Sequence, residues 1–244
     1  MADLPPVPDS PAGVIKLPEP RQEGRTSVEA ALCRRRSVRE FKREALTLAE
    51  VSQLLWATQG ITDPERKRTA PSAGALYPLE VLLVVGTPVG QGERPRKPEH
   101  LGKSGLARTL ALPGSDIEAV PGAPPAGVYR YRPQEHELVC VADGDKRARL
   151  AAAALDQDWL TGAPVTIVIA AVYERTARKY RQRAGRYVHM EVGHAAQNVH
   201  LQAIALDLGT VVVGAFDDAE VKRVLTLADN EEPLCLMPVG RPHH

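Results

Sequence analysis

The stretch from Tyr187 to Leu208 constrains this chain more than any other. Its periodicity predicts one long helix, apolar on most faces and ended by Gly209. A helix of that kind belongs in the middle of a core or at a subunit interface. The rest of the chain must pack around it. Of 244 residues, 43% are apolar, enough for a sizeable core within a single α/β domain. Only two Phe and two Trp are present, so Leu, Val and Ala must build most of that core.

Residues 1–25 are rich in proline and charge and read as an extended arm, either wrapping a neighbouring subunit or forming a disordered tail. Residues 26–244 form the expected domain. A short helix carries Val28, Ala31 and Leu32. Thr47-Leu48-Ala49-Glu50 reads as a capping box before a second helix, with Gly60 as a left-handed stop. Strands are expected at Val81–Val85, Gly127–Tyr131, Glu137–Val141, Val165–Val172, Thr210–Val213 and Leu234–Val239. Residues 87–125 read as a long loop or insertion, 145–160 as a helix, and Asp217 as the cap of another. No βαβ repeat or internal repeat is visible, so the pattern predicts an α+β sandwich with a mixed sheet rather than a doubly wound fold.

Several classes of function drop out. The charge balance is nearly even (Lys+Arg 31, Asp+Glu 30), which gives no global argument for nucleic acid or an anionic membrane. No apolar run approaches the roughly 20 residues of a spanning helix, and MADLPPVPDSP lacks the blocks of a secretory signal. Cys33, Cys140 and Cys235 suggest neither a disulfide framework nor zinc, and a reducing cytoplasm is the simplest compartment. Glu191 and His194 have Glu-x-x-His spacing, but the second copy and further glutamates of a di-iron bundle are missing; with Gln197 and Asn198 they read as polar positions on an interface helix, and no metal is expected. Gly102-Lys103-Ser104 lacks the earlier glycine of a phosphate loop, since Lys97 stands there. There is no Gly-x-Ser-x-Gly elbow and no Gly-x-Gly-x-x-Gly after a strand.

Four pieces can carry chemistry. Arg34-Arg35-Arg36-Ser37-Val38-Arg39 is the densest cationic cluster, and the guanidinium fork matches phosphate oxygens two at a time. A solvated surface run is the plain alternative, and a nucleic-acid patch a second one, weakened by the neutral balance. Arg68-Thr69-Ala70-Pro71-Ser72-Ala73-Gly74-Ala75-Leu76-Tyr77-Pro78 has small residues that let backbone approach a flat ligand, and is otherwise an ordinary Pro/Gly loop. Val213-Gly214-Ala215-Phe216 and Pro238-Val239-Gly240-Arg241 stand at strand ends, where ligands often bind.

Together with LLWATQG, GVYRY, the Gln157–Leu160 stretch and EVGHAAQN, these ordered blocks resemble the nitroreductase-like flavoproteins, closest to the SagB-type azoline dehydrogenase branch. The resemblance covers most of the chain. It implies a three-layer α/β/α sandwich with a mixed, mainly antiparallel sheet, and a homodimer with FMN at the subunit interface. By the same resemblance Arg35, Ser37 and Arg39, supported by Arg36, would hold the phosphate and pyrimidine side, with Arg241 adding a second guanidinium. Pro71, Ser72, Ala73, Gly74 and Leu76 would line the flavin from the other subunit, with Gly214 and Ala215 near its reactive nitrogen. Val213 stands where the wider family often has an acidic residue, so no carboxylate role is carried over there. Lys179-Tyr180 resembles the Lys-Tyr pair of the azoline dehydrogenases, implicated in proton removal; the alternative is an exposed helix with Arg178, Lys179, Arg181 and Arg183. The expectation is an FMN-dependent dehydrogenase acting on a small heterocyclic or peptide-linked substrate, as in azoline-to-azole oxidation. The rival is an NAD(P)H-dependent nitro or quinone reductase, with NAD(P)H entering transiently. A third is a flavin- or nucleic-acid-binding module without turnover.

Overall fold

The computed structural model describes residues 13–87 and 122–243. The first twelve residues of the arm, and most of the expected 87–125 loop including Gly102–Ser104, lie outside them. Seven strands of the described residues form one sheet: β1 (Val14–Lys16), β2 (Leu79–Val85), β3 (Gly127–Arg132), β4 (Glu137–Asp143), β5 (Val165–Ala171), β6 (Gly209–Thr210) and β7 (Glu232–Gly240). Their spatial order is β1-β4-β3-β2-β5-β7-β6, and every strand pairing is antiparallel. Among the described residues a single parallel bridge joins Ser37 to Thr210 of β6.

Among the described residues six α-helices cover the sheet: α1 (Val28–Arg34), α2 (Leu48–Gln59), α3 (Arg147–Ala153), α4 (Tyr173–Tyr180), α5 (Ala184–Ala205) and α6 (Asp218–Leu225). Successive strand side chains point to opposite faces. Val81, Leu83, Ile167 and Ile169 therefore face one core with Leu54, Leu55, Val188 and Val199 of α2 and α5. Leu82, Val84, Val168 and Ala170 face the other, with Leu150, Val221 and Leu225 of α3 and α6. β2 and β5 are thus buried on both sides, which is why each reads as an unbroken apolar run. The result is the three-layer α/β/α sandwich, mainly antiparallel.

Several local expectations hold. Both halves of the Thr47–Glu50 capping box form, and Asp217 caps α6. Others change. Part of the arm is already in the sheet: β1 pairs with β4, and Leu17 is buried. Gly60 has φ −65, not a left-handed value; a glycine stands there because a Cβ would meet the Trp56 ring at 2.2 Å. The 145–160 helix stops at Ala153, since Leu155 and Asp156 turn to φ 58 and 57. α5 ends at Ala205, with Asp207 taking the left-handed turn (φ 55). It is also two-faced: Val188, Ala195, Val199 and Ala203 are buried, whereas Met190, Gly193, His194 and Gln197 are exposed.

Gly209 falls in β6 instead of closing α5. A Cβ on it would lie 2.7 Å from Val38, so the bare backbone lets the arginine segment dock. Gly209→Ala is expected to destabilise the fold by about 1–3 kcal/mol through overpacking. Denaturant unfolding measures this, and Val38→Ala in the same chain should recover most of the loss. An unchanged midpoint would contradict the packing described.

Candidate functional site

The arginine segment is fixed at one end of the sheet. The Val38 amide donates to the Thr210 carbonyl (3.0 Å), and the Lys42 amide to the Arg241 carbonyl (2.8 Å). Phe41 bridges Pro242. Arg34 caps the far end of α5 by donating to the Ile204 carbonyl (3.2 Å). Arg36 is spent locally, on the carbonyls of Cys33 (2.9 Å) and Arg35 (2.8 Å). Arg39 stands over the Trp159 ring at 5.8 Å. No ion pair among the described residues engages Arg35 or Arg39. Burial, and then the charge of Arg35, holds His200 below the ordinary histidine value.

Arg241 is backbone-adjacent to that segment, but its guanidinium faces acids. Nη2 donates to Glu50 (2.7 Å) and Nε lies 3.4 Å from Glu44. Nη1 is buried without a partner among the described residues. Gly214 and Ala215 follow the Val213–Leu236 bridge and are exposed, with open space where a Gly214 Cβ would be. Gln157 donates to the Ala215 carbonyl (3.0 Å), so the Gln157–Leu160 stretch links this turn to Arg39 through Trp159.

The small-residue loop lies elsewhere, just before β2. The Tyr77 amide donates to the Ser72 hydroxyl oxygen (2.9 Å), closing a tight turn over Ala73–Leu76. Gly74, Ala75 and Tyr77 all have left-handed φ (65, 53 and 46). Strain of this kind in non-glycine residues persists only where surroundings over-determine it, and it gathers at functional sites. Here the surroundings are Arg68, stacked on Tyr77 at 4.5 Å and bonded to Gln59 (2.9 Å), and Arg175, which donates to the Tyr77 carbonyl (3.1 Å). Pro71 is exposed, and Ala73 and Leu76 are half-buried.

Arg175 opens the link to α4. With Arg130 it grips Glu80 of β2, and Arg130 also holds Glu231 through both nitrogens (2.6 and 2.8 Å). One turn on, Lys179 and Tyr180 come against the loop. A Cβ on Gly74 would lie 3.0 Å from both the Lys179 Nζ and the Tyr180 hydroxyl. Tyr180 packs edge-on to Tyr187 of α5 (4.7 Å). Arg181, next in sequence, has φ 48 and ψ −124, a second strained residue beside the pair. Sequence spacing did not bring Lys179 to Gly74; the ion network does.

Glu191 was missed as a site residue. It is buried (2% exposed), lies close to Ser72 and Arg68, and its Oε1 has no partner among the described residues. Burial pushes its carboxyl up to about 7 against both of those contacts. The signal was available: Val188, Glu191, Ala195 and Val199 share one helical phase, so a carboxylate interrupts the buried stripe.

The two groups of residues stand apart in one chain. Arg34 reaches Ile204, whereas Ser72 and Arg68 lie near Glu191, thirteen residues away along α5. At 1.5 Å per residue the separation is about 20 Å. The sheet gives the same answer: the loop and α4 flank the Leu79–Ala171 end of β2 and β5, whereas Arg241 follows β7 beyond its Val165–Val239 pair. Among the described residues no cluster of His, Cys, Asp and Glu could hold a metal ion, and no helix is long and apolar enough to cross a membrane.

A match to the nitroreductase family spans residues 32–241, from the arginine segment to Arg241. A Methanocaldococcus jannaschii protein named for a nitroreductase is 43% identical over 227 residues, 93% of this chain and 96% of its own. The trifolitoxin operon protein TfxC of Rhizobium leguminosarum bv. trifolii is 27% identical over 86% of this chain and 54% of its own length. A solved structure from Ralstonia eutropha JMP134, also named for a nitroreductase, superposes with a TM-score of 0.72 at 26% identity, covering 95% of this chain and 90% of that one. Every block discussed, from the free cations to the strained loop, falls within the matched span, and the chain therefore belongs to the nitroreductase family of oxidoreductases.

Proposed function

We propose that the chain pairs with a second copy of itself to form two FMN sites, and that it moves a hydride between flavin and a small heterocyclic or peptide-linked substrate, as in azoline-to-azole oxidation. The observation that carries this reading is the separation of two complementary half-sites by about 20 Å along α5. One half has cations without acids, Arg35 and Arg39; the other has a flat, small-residue loop flanked by an amine and a phenol. Neither half is a flavin site alone. Val28 and Leu32 of α1 and Met190 of α5 are exposed apolar side chains beside the open stripe of α5, the contact area that a second copy would cover.

The residues fit the cofactor. Arg35, Ser37 and Arg39, with Arg36 shaping the turn, would hold the phosphate and pyrimidine side, and the orphaned Nη1 of Arg241 offers one more donor. Glu44 and Glu50 already neutralise most of Arg241, so the larger share of phosphate charge falls to Arg35 and Arg39. Pro71, Ser72, Ala73, Gly74 and Leu76 of the partner copy would line the ring, with Gly214 and Ala215 leaving open surface on its other side. FMN, when bound, supplies a ring that takes up or releases a hydride. Lys179, with Tyr180, would accept the substrate proton released as the hydride leaves.

A second reading keeps the same site. NAD(P)H would feed the flavin, which then reduces a nitro compound or quinone; the 43% identical relative named for a nitroreductase favours it. Anaerobic mixing with NADH or NADPH separates the two, because rapid bleaching of the flavin band marks the reductase. In the dehydrogenase reading, Lys179→Ala keeps FMN and lowers kcat by roughly 10²–10⁴ fold. Full activity in that variant would remove Lys179 from the chemistry. Arg39→Ala is expected to weaken FMN binding about 10–100-fold, the loss of one charge-assisted contact. Unchanged retention of flavin on gel filtration would contradict the phosphate assignment.

A further inference from the structure

We propose that Glu191 is a positioning residue that sets whether the Ser72 hydroxyl offers a donor or an acceptor to a ring lying on the 71–76 loop; this rests on the flavin reading above. One acceptor position of Ser72 is fixed, because the Tyr77 amide already donates to it. One proton and one further lone pair remain. With Glu191 ionised, the Ser72 proton is drawn to its carboxylate, and only a lone pair faces the ring. With Glu191 protonated, the carboxyl donates to Ser72, and the Ser72 proton turns outward. The interconversion takes up one proton from solvent and moves no other atom of the loop.

The surroundings make both states accessible. Glu191 is almost wholly buried, and its Oε1 has no partner among the described residues, so the ionised form is never fully compensated. Arg68, from the start of the loop, pulls the other way with its charge. Arg68 is itself set among Glu80 of β2, Arg175 of α4 and the Tyr77 hydroxyl. On α5, Tyr187 stands one turn before Glu191 and Ala195 one turn after. Burial dominates, and the carboxyl lies near 7, where small pH changes shift its charge. An oxidised ring edge seeks a donor and a reduced one presents an N–H, so the same hydroxyl can serve either state.

The test is FMN affinity, followed by quenching of flavin fluorescence between pH 5.5 and 8.5. The FMN phosphate titrates near pH 6 whatever the protein variant, so the informative quantity is the difference between proteins. Wild type should show an added several-fold change in Kd with its midpoint near pH 7. Glu191→Gln and Ser72→Ala should bind FMN without that inflection. The same inflection in Glu191→Gln, or its absence in wild type, overturns the proposal while leaving the flavin reading intact. No FMN binding by wild type at any pH sinks both. Thermal unfolding checks the group itself. A raised carboxyl pKa gives stability that is present below the unfolded value and lost as pH rises through the folded one. Glu191→Gln should therefore have the higher Tm at pH 8 and lose that advantage by pH 5; equal Tm differences at both pH values would count against a titrating Glu191.

Discussion

The length of α5 governs how this molecule can work. A helix of 22 residues is a rigid spacer, and its two ends are committed to different tasks. Near its start it carries Glu191 under the small-residue loop and Tyr187 against Tyr180; near its end its last carbonyls receive Arg34. The antiparallel sheet repeats the same separation, because β2, β5 and β7 run the full distance side by side. The arginine segment and the small-residue loop of one chain are held at these opposite ends. In the reading proposed above, a single ligand that uses both would bridge two chains. The uncovered face of α5 and the apolar side chains of α1 stand where that second chain would bear.

Within each half, charge does the positioning. Glu80 lies mid-network, shared by Arg130 and Arg175, and Arg130 is paired twice to Glu231. Partly buried ion pairs contribute little net stability, yet leaving one member unpaired is costly. Such a network specifies geometry more than it stabilises the fold. Here it holds α4 to β2 and ties the Tyr77 carbonyl to Arg175, with the Val172 amide reinforcing the join through the Pro78 carbonyl (2.9 Å). Left-handed backbone at Gly74, Ala75 and Tyr77 is tolerated because those anchors leave it no other path.

The sequence made the elements legible where local physics decides alone. The unbroken apolar runs of β2 and β5 read as buried strands, and the Thr47 and Asp217 caps announced their helices. It misled where tertiary contact decides. Gly60 and Gly209 looked like helix stops, but each is a glycine because Trp56 or Val38 occupies the place of its Cβ. Apolar content made α5 look covered all round, although small and polar residues leave one face open. For the candidate site, the cations and the loop stood out by composition. The burial of Glu191, the acids around Arg241 and the approach of Lys179 to Gly74 did not, because each depends on partners far away in the chain.

The claim that each flavin site is assembled from two chains can be tested by subunit complementation. Arg39→Ala damages the cation half, and Gly74→Val, forced into a left-handed backbone against Lys179 and Tyr180, damages the loop half. Each homodimer should lose tight FMN binding. When the two variants are unfolded together and refolded, a mixed dimer gains one site made of two undamaged halves, so FMN binding should return to about one flavin per mixed dimer. Failure to regain any binding, in mixed dimers shown to have formed, would contradict a site shared between copies.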